Sequence, residues 1–221
     1  MQAILFDMDG VILEGPRTDP QVYADATDYA LSELGIEPTD DEREAFREFD
    51  PDGIRERAAA HGFDADEFWK LRDDRASELT HERVRSGDRA VYDDAETLSE
   101  LAERTTTALV TNNRHRTAEF VDNYFEFGFE TVRGRDPSMA GYQRRKPNPA
   151  YLEETLDRLG VDGGLYVGDS GVDVVAGQKA SLETAFVRRP HNRSVDLPAE
   201  PEYELESLTE LLELLETVDS H

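Results

Sequence analysis

The sequence predicts an α/β fold, a doubly wound parallel sheet with an α-helical insertion after the first strand. Three observations predict it. Short apolar runs are spread along the chain, and they are continuous rather than alternating, as strands buried on both faces should be. Helical patterns separate the later runs, which implies crossover connections. The stretch 15–90 holds one helical pattern after another and no good strand run.

The first strand is expected at Ala3-Ile4-Leu5-Phe6. Helices are then expected over 19–34, with Val22, Ala26, Tyr29, Ala30 and Leu34 on one side, and over 40–49, with Ala45, Phe46 and Phe49. Two more are expected over 53–61 and 64–85, the last carrying Phe68, Leu71, Leu79 and Val84. Gly35, Pro38, Pro51 and Gly62 punctuate them. Strands resume at Thr107-Ala108-Leu109-Val110, Leu165-Tyr166-Val167 and Thr184-Ala185-Phe186-Val187, with a weaker one near 129–133. Helices over 114–124, 148–160 and 171–180 lie between them. Asn148 before Pro149 reads as a helix start, and Gly160 as its stop. Leu205, Leu208, Leu211, Leu212 and Leu215 make an amphipathic closing helix. The expected domains are an α/β core of 1–14 and 91–221 and a helical insertion of 15–90.

Composition sets the outer limits. The chain has 221 residues, 50 acidic and 24 basic, for a net charge of -26. No nucleic-acid partner is expected, because phosphate backbones need a basic face. No membrane partner is expected either, since anionic lipid repels such a surface and no apolar run approaches ~18 residues. The first residues carry no basic stretch, so a signal peptide is not expected, and a cytoplasmic location is. There is no Cys, which excludes disulfides and thiolate chemistry. Leu, Ile, Val and Phe supply 50 residues, close to the composition of disordered chains, but the strand and helix patterning argues for a folded core. The basic residues are 21 Arg and only three Lys, at 70, 146 and 179. An acid-rich, Lys-poor globular chain fits a halophile, where salt screens self-repulsion.

The segments at the ends of the strands carry the chemistry. Asp7-Met8-Asp9-Gly10 comes after the first, Thr111-Asn112-Asn113 after the second, and Gly168-Asp169-Ser170-Gly171-Val172-Asp173 after the third. Ligands of open parallel sheets bind outside the carboxyl ends of the strands, so these segments converge. Asp7, Asp9 and Asp169 in one crevice repel one another, and a hard cation such as Mg²⁺, bound by oxygen, relieves that. Such an ion leaves positions open for a phosphate oxygen, and an Asp carboxylate can accept a phosphoryl group. Residues 133–146 form a basic island of Arg133, Arg135, Arg144, Arg145 and Lys146 against the single acid Asp136. Its Lys stands just before Pro147-Asn148-Pro149, where a compact point charge suits a phosphate.

Taken together, Asp7-x-Asp9-Gly10, Thr111 at a strand end, Lys146-Pro147-x-Pro149 and Gly168-Asp169-Ser170-x-x-Asp173 resemble the haloacid dehalogenase superfamily. The chain looks like its phosphoglycolate phosphatase and β-phosphoglucomutase branch, whose core is Rossmann-like and whose helical cap comes after the first strand. The resemblance implies a Mg²⁺-dependent phosphatase acting on a small phosphorylated substrate through an aspartyl-phosphate. It implies Asp7 as nucleophile and metal ligand, and Asp9 as general acid and base with its backbone carbonyl on the metal. Thr111 and the Asn112 backbone N–H would hold the phosphoryl group, and Lys146 would neutralise charge. Asp169 would bind Mg²⁺, with Ser170 and Asp173 supporting the metal shell. The carboxylate at Asp9 favours phosphoryl transfer over attack on carbon.

A sugar-phosphate mutase using the same intermediate is the nearest alternative. A receiver-type phospho-Asp domain, or a non-catalytic binding protein, is further off. Monomer and homodimer both remain open. Ser181-Leu182 stand where the family often has a Gly before an apolar residue. The five His show no metal-ligand spacing; Asn113 is read as a residue on the substrate side, and Arg114 and Arg116 as exposed helix arginines ahead of contacts to an anionic substrate. Phe68 and Trp69 are read as core of the cap.

Overall fold

A computed structural model describes residues 2–218. Along the chain run β1 (Ala3–Phe6), α1 (Pro20–Glu33), α2 (Asp40–Arg47), α3 (Pro51–His61) and α4 (Ala65–Ser86). A 3-10 turn at Asp93–Glu96 leads into α5 (Thr97–Arg104), β2 (Thr106–Arg114), α6 (His115–Phe125), β3 (Thr131–Arg135) and α7 (Met139–Gln143). Then come α8 (Ala150–Leu159), β4 (Leu165–Gly168), α9 (Gly171–Lys179), β5 (Glu183–Val187), β6 (Tyr203–Leu205) and α10 (Glu210–Val218).

Among the described residues six strands form one sheet, all parallel, in the order β3-β2-β1-β4-β5-β6. The predicted fold class therefore holds. Because side chains alternate along a strand, each apolar run feeds two cores. Ile4, Phe6, Leu109, Leu165, Val167, Ala185 and Val187 face a core shared with Leu98, Leu101, Ala118, Val121, Leu208 and Leu211. Ala3, Leu5, Ala108, Val110 and Tyr166 face the opposite core, closed by Tyr151, Leu152, Leu156 and Ala176. All four β1 residues are fully buried, and a buried Leu, Ile or Phe contributes about 1.5–3 kcal/mol. Helices on both faces of the sheet are what make these runs continuous.

Several elements depart from expectation. β2 continues past Val110 through Thr111, Asn112 and Asn113, with an irregular register between Val110 and Arg114. Leu205 lies in the short edge strand β6, not in the closing helix, which spans Glu210–Val218. With Tyr203 and Glu204, Leu205 is too short a run to stand out from its acidic flanks. The α5 helix and α7 were also not foreseen. Arg114 ends β2 and is buried, so it is not a surface residue. α8 starts one residue after Pro149, though Asn148 Oδ1 still accepts from Ala150 N at 3.0 Å. Gly160, in a left-handed conformation, ends α8 as expected.

The chain forms two compact units. The sheet unit takes in the chain up to Arg17, Arg89–Arg135 and the chain from Arg144 onward. The helical unit is Thr18–Asp88 with Asp136–Gln143. Placing 136–143 with the helices differs from the sequence expectation, which kept 91–221 together. The reason is local: Met139 is buried with Leu31, Phe46, Ile54, Phe68 and Trp69, and Tyr142 stacks on Phe49. Phe68 and Trp69 are both fully buried, so they are core residues. Buried among them, Arg72 stacks over Trp69 and Phe49 at 4.3 and 4.5 Å and donates from Nη1 to Phe46 O. Each helix start has its own chemistry. Thr39 and Glu42 cap α2 reciprocally, Asp64 accepts from Asp66 N and Glu67 N, and α1 and α3 begin on Pro20 and Pro51.

Candidate active site

The strand order reverses direction at β1, since β2 lies on one side of it and β4 on the other. Such a switch point opens a crevice at the carboxyl ends of the strands. Asp7 sits there, its N–H donating to Val167 O at 2.8 Å. Gly10 turns the chain away with a φ of 80°. A Cβ at Gly10 would lie 2.0 Å from Asp169 Oδ2, so glycine is required twice, by conformation and by space. At the end of β4, a Cβ on Gly168 would lie 2.2 Å from the Asp173 Cβ.

Asp7, Asp169 and Asp173, all buried, bring carboxylate oxygens within 4.8 Å of one another. Lys146 Nζ lies 2.9 Å from Asp7 Oδ1 and 2.6 Å from Asp173 Oδ1, with its side chain almost wholly buried. It also contacts the Tyr166 hydroxyl. Tyr166 OH donates to Val110 O or to Asp173 Oδ1, at 3.0 and 3.3 Å. Asn112 holds the lysine's backbone: its Oδ1 accepts from Lys146 N at 2.8 Å and its Nδ2 donates to Lys146 O at 3.2 Å. Thr111, only 1% exposed, accepts the Asn113 N–H on its Oγ1 at 3.1 Å. Ser170, heading α9, donates its N–H to Asp173 Oδ2 at 3.1 Å and contacts the same oxygen with its hydroxyl. Asp173 is thus oriented from both ends, by Lys146 and by Ser170.

Asp9 is placed differently. Its carboxylate is outside that cluster, with Oδ1 2.5 Å from Arg89 Nη2 and Oδ2 accepting from Asn113 Nδ2 at 2.8 Å. Asp169 has partners of its own. His191 Nε2 lies 2.6 Å from its Oδ2, and Asn192 Nδ2 donates to its backbone carbonyl at 2.8 Å. Asn192 is itself held by the Arg189 N–H at 2.7 Å.

Electrostatics reflect this crowding. Burial, opposed by Lys146 and reinforced by Asp173 and Asp9, raises Asp7 to about 6. Burial together with the charges of Asp173 and Asp7 raises Asp169 to about 9. Burial alone would pull Lys146 down, but Asp173 and Asp7 together hold its ammonium above the ordinary lysine range. Burial, then Asp173 and Asp7, pushes the Tyr166 phenol well up, so it stays protonated as a donor. Burial and Arg189 lower His191. Three carboxylates against one ammonium leave a surplus of negative charge in a buried place. An all-oxygen donor set with that surplus fits a hard divalent cation such as Mg²⁺, and Asp7, Asp169 and Asp173 are the side chains that could hold it.

A family model for haloacid dehalogenase-like hydrolases matches residues 1–181. The chain belongs to this family. Its fold is shared by several solved structures. CbbY from Rhodobacter sphaeroides, in complex with phosphate, is 19% identical with a TM-score of 0.64, covering 95% of this chain and 96% of that one. A HAD phosphatase from Thermococcus onnurineus is 22% identical with a TM-score of 0.60, covering 97% and 98%. YfnB from Bacillus subtilis, bound to magnesium, is 21% identical with a TM-score of 0.57, covering 97% and 98%. A comparison with curated proteins gives no match.

In this haloacid dehalogenase-like hydrolase, the structure brings Asp7, Lys146, Asp169 and Asp173 together, and places Asp9, Thr111, Asn112 and Ser170 on the same strand ends. Asn112 contributes a side-chain clamp on Lys146 that its backbone role did not suggest. The basic island is a correction. Arg133 and Arg144 both pair with Glu154 and stack over Tyr151, and Arg135 is buried, so they are not an open cationic patch. Of that island, Lys146 reaches the carboxylates. Arg89, Tyr166, His191 and Asn192 were missed as site residues, and Asn113, weighed as a residue on the substrate side, binds Asp9. Arg89 and His191 are 80 and 22 residues from the Asp each one meets, with no motif around them.

Proposed function

We propose that the protein is a Mg²⁺-dependent phosphatase that hydrolyses a small phosphorylated metabolite, of phosphoglycolate or sugar-phosphate type, through a phosphoryl group carried on Asp7. The observation that carries this reading is Lys146, buried between Asp7 and Asp173 beside a charge-surplus oxygen cluster. The bound cation would supply charge neutralisation for a phosphate oxygen. Asp7 attacks phosphorus, and the bond to the ester oxygen breaks. Lys146 offsets the charge between Asp7 and the phosphoryl oxygens. Thr111 Oγ1 and the Asn112 N–H donate to the phosphoryl group. Asp9 gives its proton to the departing alkoxide, which leaves as an alcohol. Asp9 then takes a proton from water as that water attacks the phosphorus, which releases inorganic phosphate and restores the Asp7 carboxylate. Ser170 and Asp173 keep the lysine in register. The two separate carboxylate settings suit this division: Asp7 inside the cluster as nucleophile, Asp9 outside it as proton carrier.

A screen of phosphorylated metabolites with Mg²⁺, at low and at high salt, tests the reading. Release of inorganic phosphate from one small phosphoester class is the expected result. Isomerisation of a hexose 1-phosphate with negligible phosphate release would assign the mutase function instead. The acid-rich composition and the shortage of lysine support a salt-adapted protein as part of the same proposal.

A further inference from the structure

Asp9 is gripped at both oxygens by residues outside the four family motifs. Arg89 Nη2 is 2.5 Å from Oδ1, and Asn113 Nδ2 donates to Oδ2 at 2.8 Å. Each arm is itself anchored. Arg89 Nε donates to Glu14 O at 3.3 Å. Asn113 Oδ1 accepts from Arg114 N at 2.8 Å, and its own N–H donates to Thr111 Oγ1 at 3.1 Å. The residue assigned to the phosphoryl group and the one assigned to the proton are therefore joined through Asn113.

Arg89 could be only a brace between the two connecting segments it bridges. Those segments, however, are already joined by their backbones. Glu14 N donates to Ala90 O and Tyr92 N to Ile12 O, each at 2.9 Å, and Leu13 pairs with Val91. The guanidinium adds little to that ribbon. Among the described residues its Nη1 is buried with no hydrogen-bond partner, which costs stability. A proton carrier, by contrast, gains from being fixed, since transfer depends on placement within a few tenths of an ångström.

We infer that Arg89, acting with Asn113, is a positioning residue that fixes the Asp9 carboxylate for proton transfer to the leaving oxygen. Both arms are N–H donors, one on each oxygen, so they fix the orientation of the carboxyl group that passes a proton to the leaving oxygen and later takes one from water. The inference rests on the acid role proposed for Asp9.

The test is the dependence of kcat/KM on the leaving group, using aryl phosphates from 2,4-dinitrophenyl to phenyl with saturating Mg²⁺. A dinitrophenolate leaves without a proton, whereas a phenolate needs one. Arg89→Met is expected to lower kcat/KM on phenyl phosphate about tenfold or more, and on dinitrophenyl phosphate by less than about threefold. Asn113→Ala should show the same selectivity, and Arg89→Lys should recover part of the loss because one donor still reaches Oδ1. Asp9→Asn is the reference and should show the steepest selectivity. If Asp9→Asn is selective while Arg89→Met and Asn113→Ala lose activity equally across the series, or not at all, the positioning role is overturned and the acid role stands. If Asp9→Asn shows no selectivity, the acid role falls and this inference with it. Thermal melts report folding, and should Arg89→Met not fold, Arg89→Lys and Asn113→Ala decide by the same criterion.

Discussion

Each unit of the molecule buries a cation, and the two are solvated in opposite ways. Lys146 in the sheet unit lies among carboxylates at strand ends. Arg72 in the helical unit lies among the rings of Trp69, Phe49 and Phe68, with the Phe46 carbonyl on one nitrogen. A compact ammonium with three donors suits point contacts to oxygen, and a planar guanidinium suits aromatic faces. The first arrangement is electrostatically unfinished, because the acids outnumber the base. The second fills space in a core. An unfinished cluster can do chemistry on an arriving ion or phosphate, while a filled core supports stability.

The largest test of that contrast is Asp7→Asn. It should reduce phosphate release by about 10³-fold or more, while the thermal midpoint stays level or rises because one crowded carboxylate is gone. A variant with wild-type turnover would remove Asp7 as nucleophile. Excess chelator should likewise abolish turnover, and full activity in chelator would break the metal reading.

Next in size, Lys146→Met strands two buried carboxylates and should cost about 3–5 kcal/mol in denaturant unfolding. The same experiment on Arg72→Ala should cost about 2–4 kcal/mol, through a cavity and lost ring contacts, and leave Mg²⁺ affinity by calorimetry unchanged. If Arg72→Ala weakens the metal as much as it weakens the fold, the two cations are not separate in role.

A smaller effect comes from the raised carboxyls. An unfolded chain ionises Asp near about 4, but the metal-free native state keeps its proton on Asp7 to about 6 and on Asp169 to about 9. The native state therefore binds more protons across this window, and its stability falls as pH rises through it. Mg²⁺ relieves the repulsion, so the midpoint difference between Mg²⁺ and chelator should widen from pH 5 to pH 9. A gap independent of pH would contradict the assigned ligands. The smallest effect concerns the whole surface: with a net charge of -26, the midpoint should rise by several degrees between about 0.1 and 2 M salt. A flat response would remove the halophile reading.

The site was legible where short-range chemistry marks it. Asp7-x-Asp9-Gly10 and Gly168-Asp169-Ser170 come directly after apolar runs, so strand and site announce each other. The helices of the 15–90 insertion were legible from apolar spacing and punctuation, since Gly35, Pro38, Pro51 and Gly62 act on neighbouring residues. β6 was not, because an edge strand of three residues leaves no period to read. Nor was α7, whose Met139 and Tyr142 acquire meaning only beside Phe49 and Trp69.

Local pattern alone therefore marked five of the six described strands, the order of the motifs, and Asp7 and Asp169 as crowded carboxylates, because burial periodicity and strand-end chemistry act over a few residues; Asp173 takes the place in the cluster that was expected for Asp9. Apart from Lys146 beside Asp7, which the family resemblance implied, the partner that each carboxylate meets emerged only from the folded chain. Lys146 reaches Asp7 from far along the sequence, Arg89 takes Asp9, His191 takes Asp169, and Arg133 and Arg144 turn to Glu154. Coulomb attraction between opposite charges has no sequence period, so pairing is set by where the sheet and its connections bring each charge, and by the desolvation that a buried charge must offset.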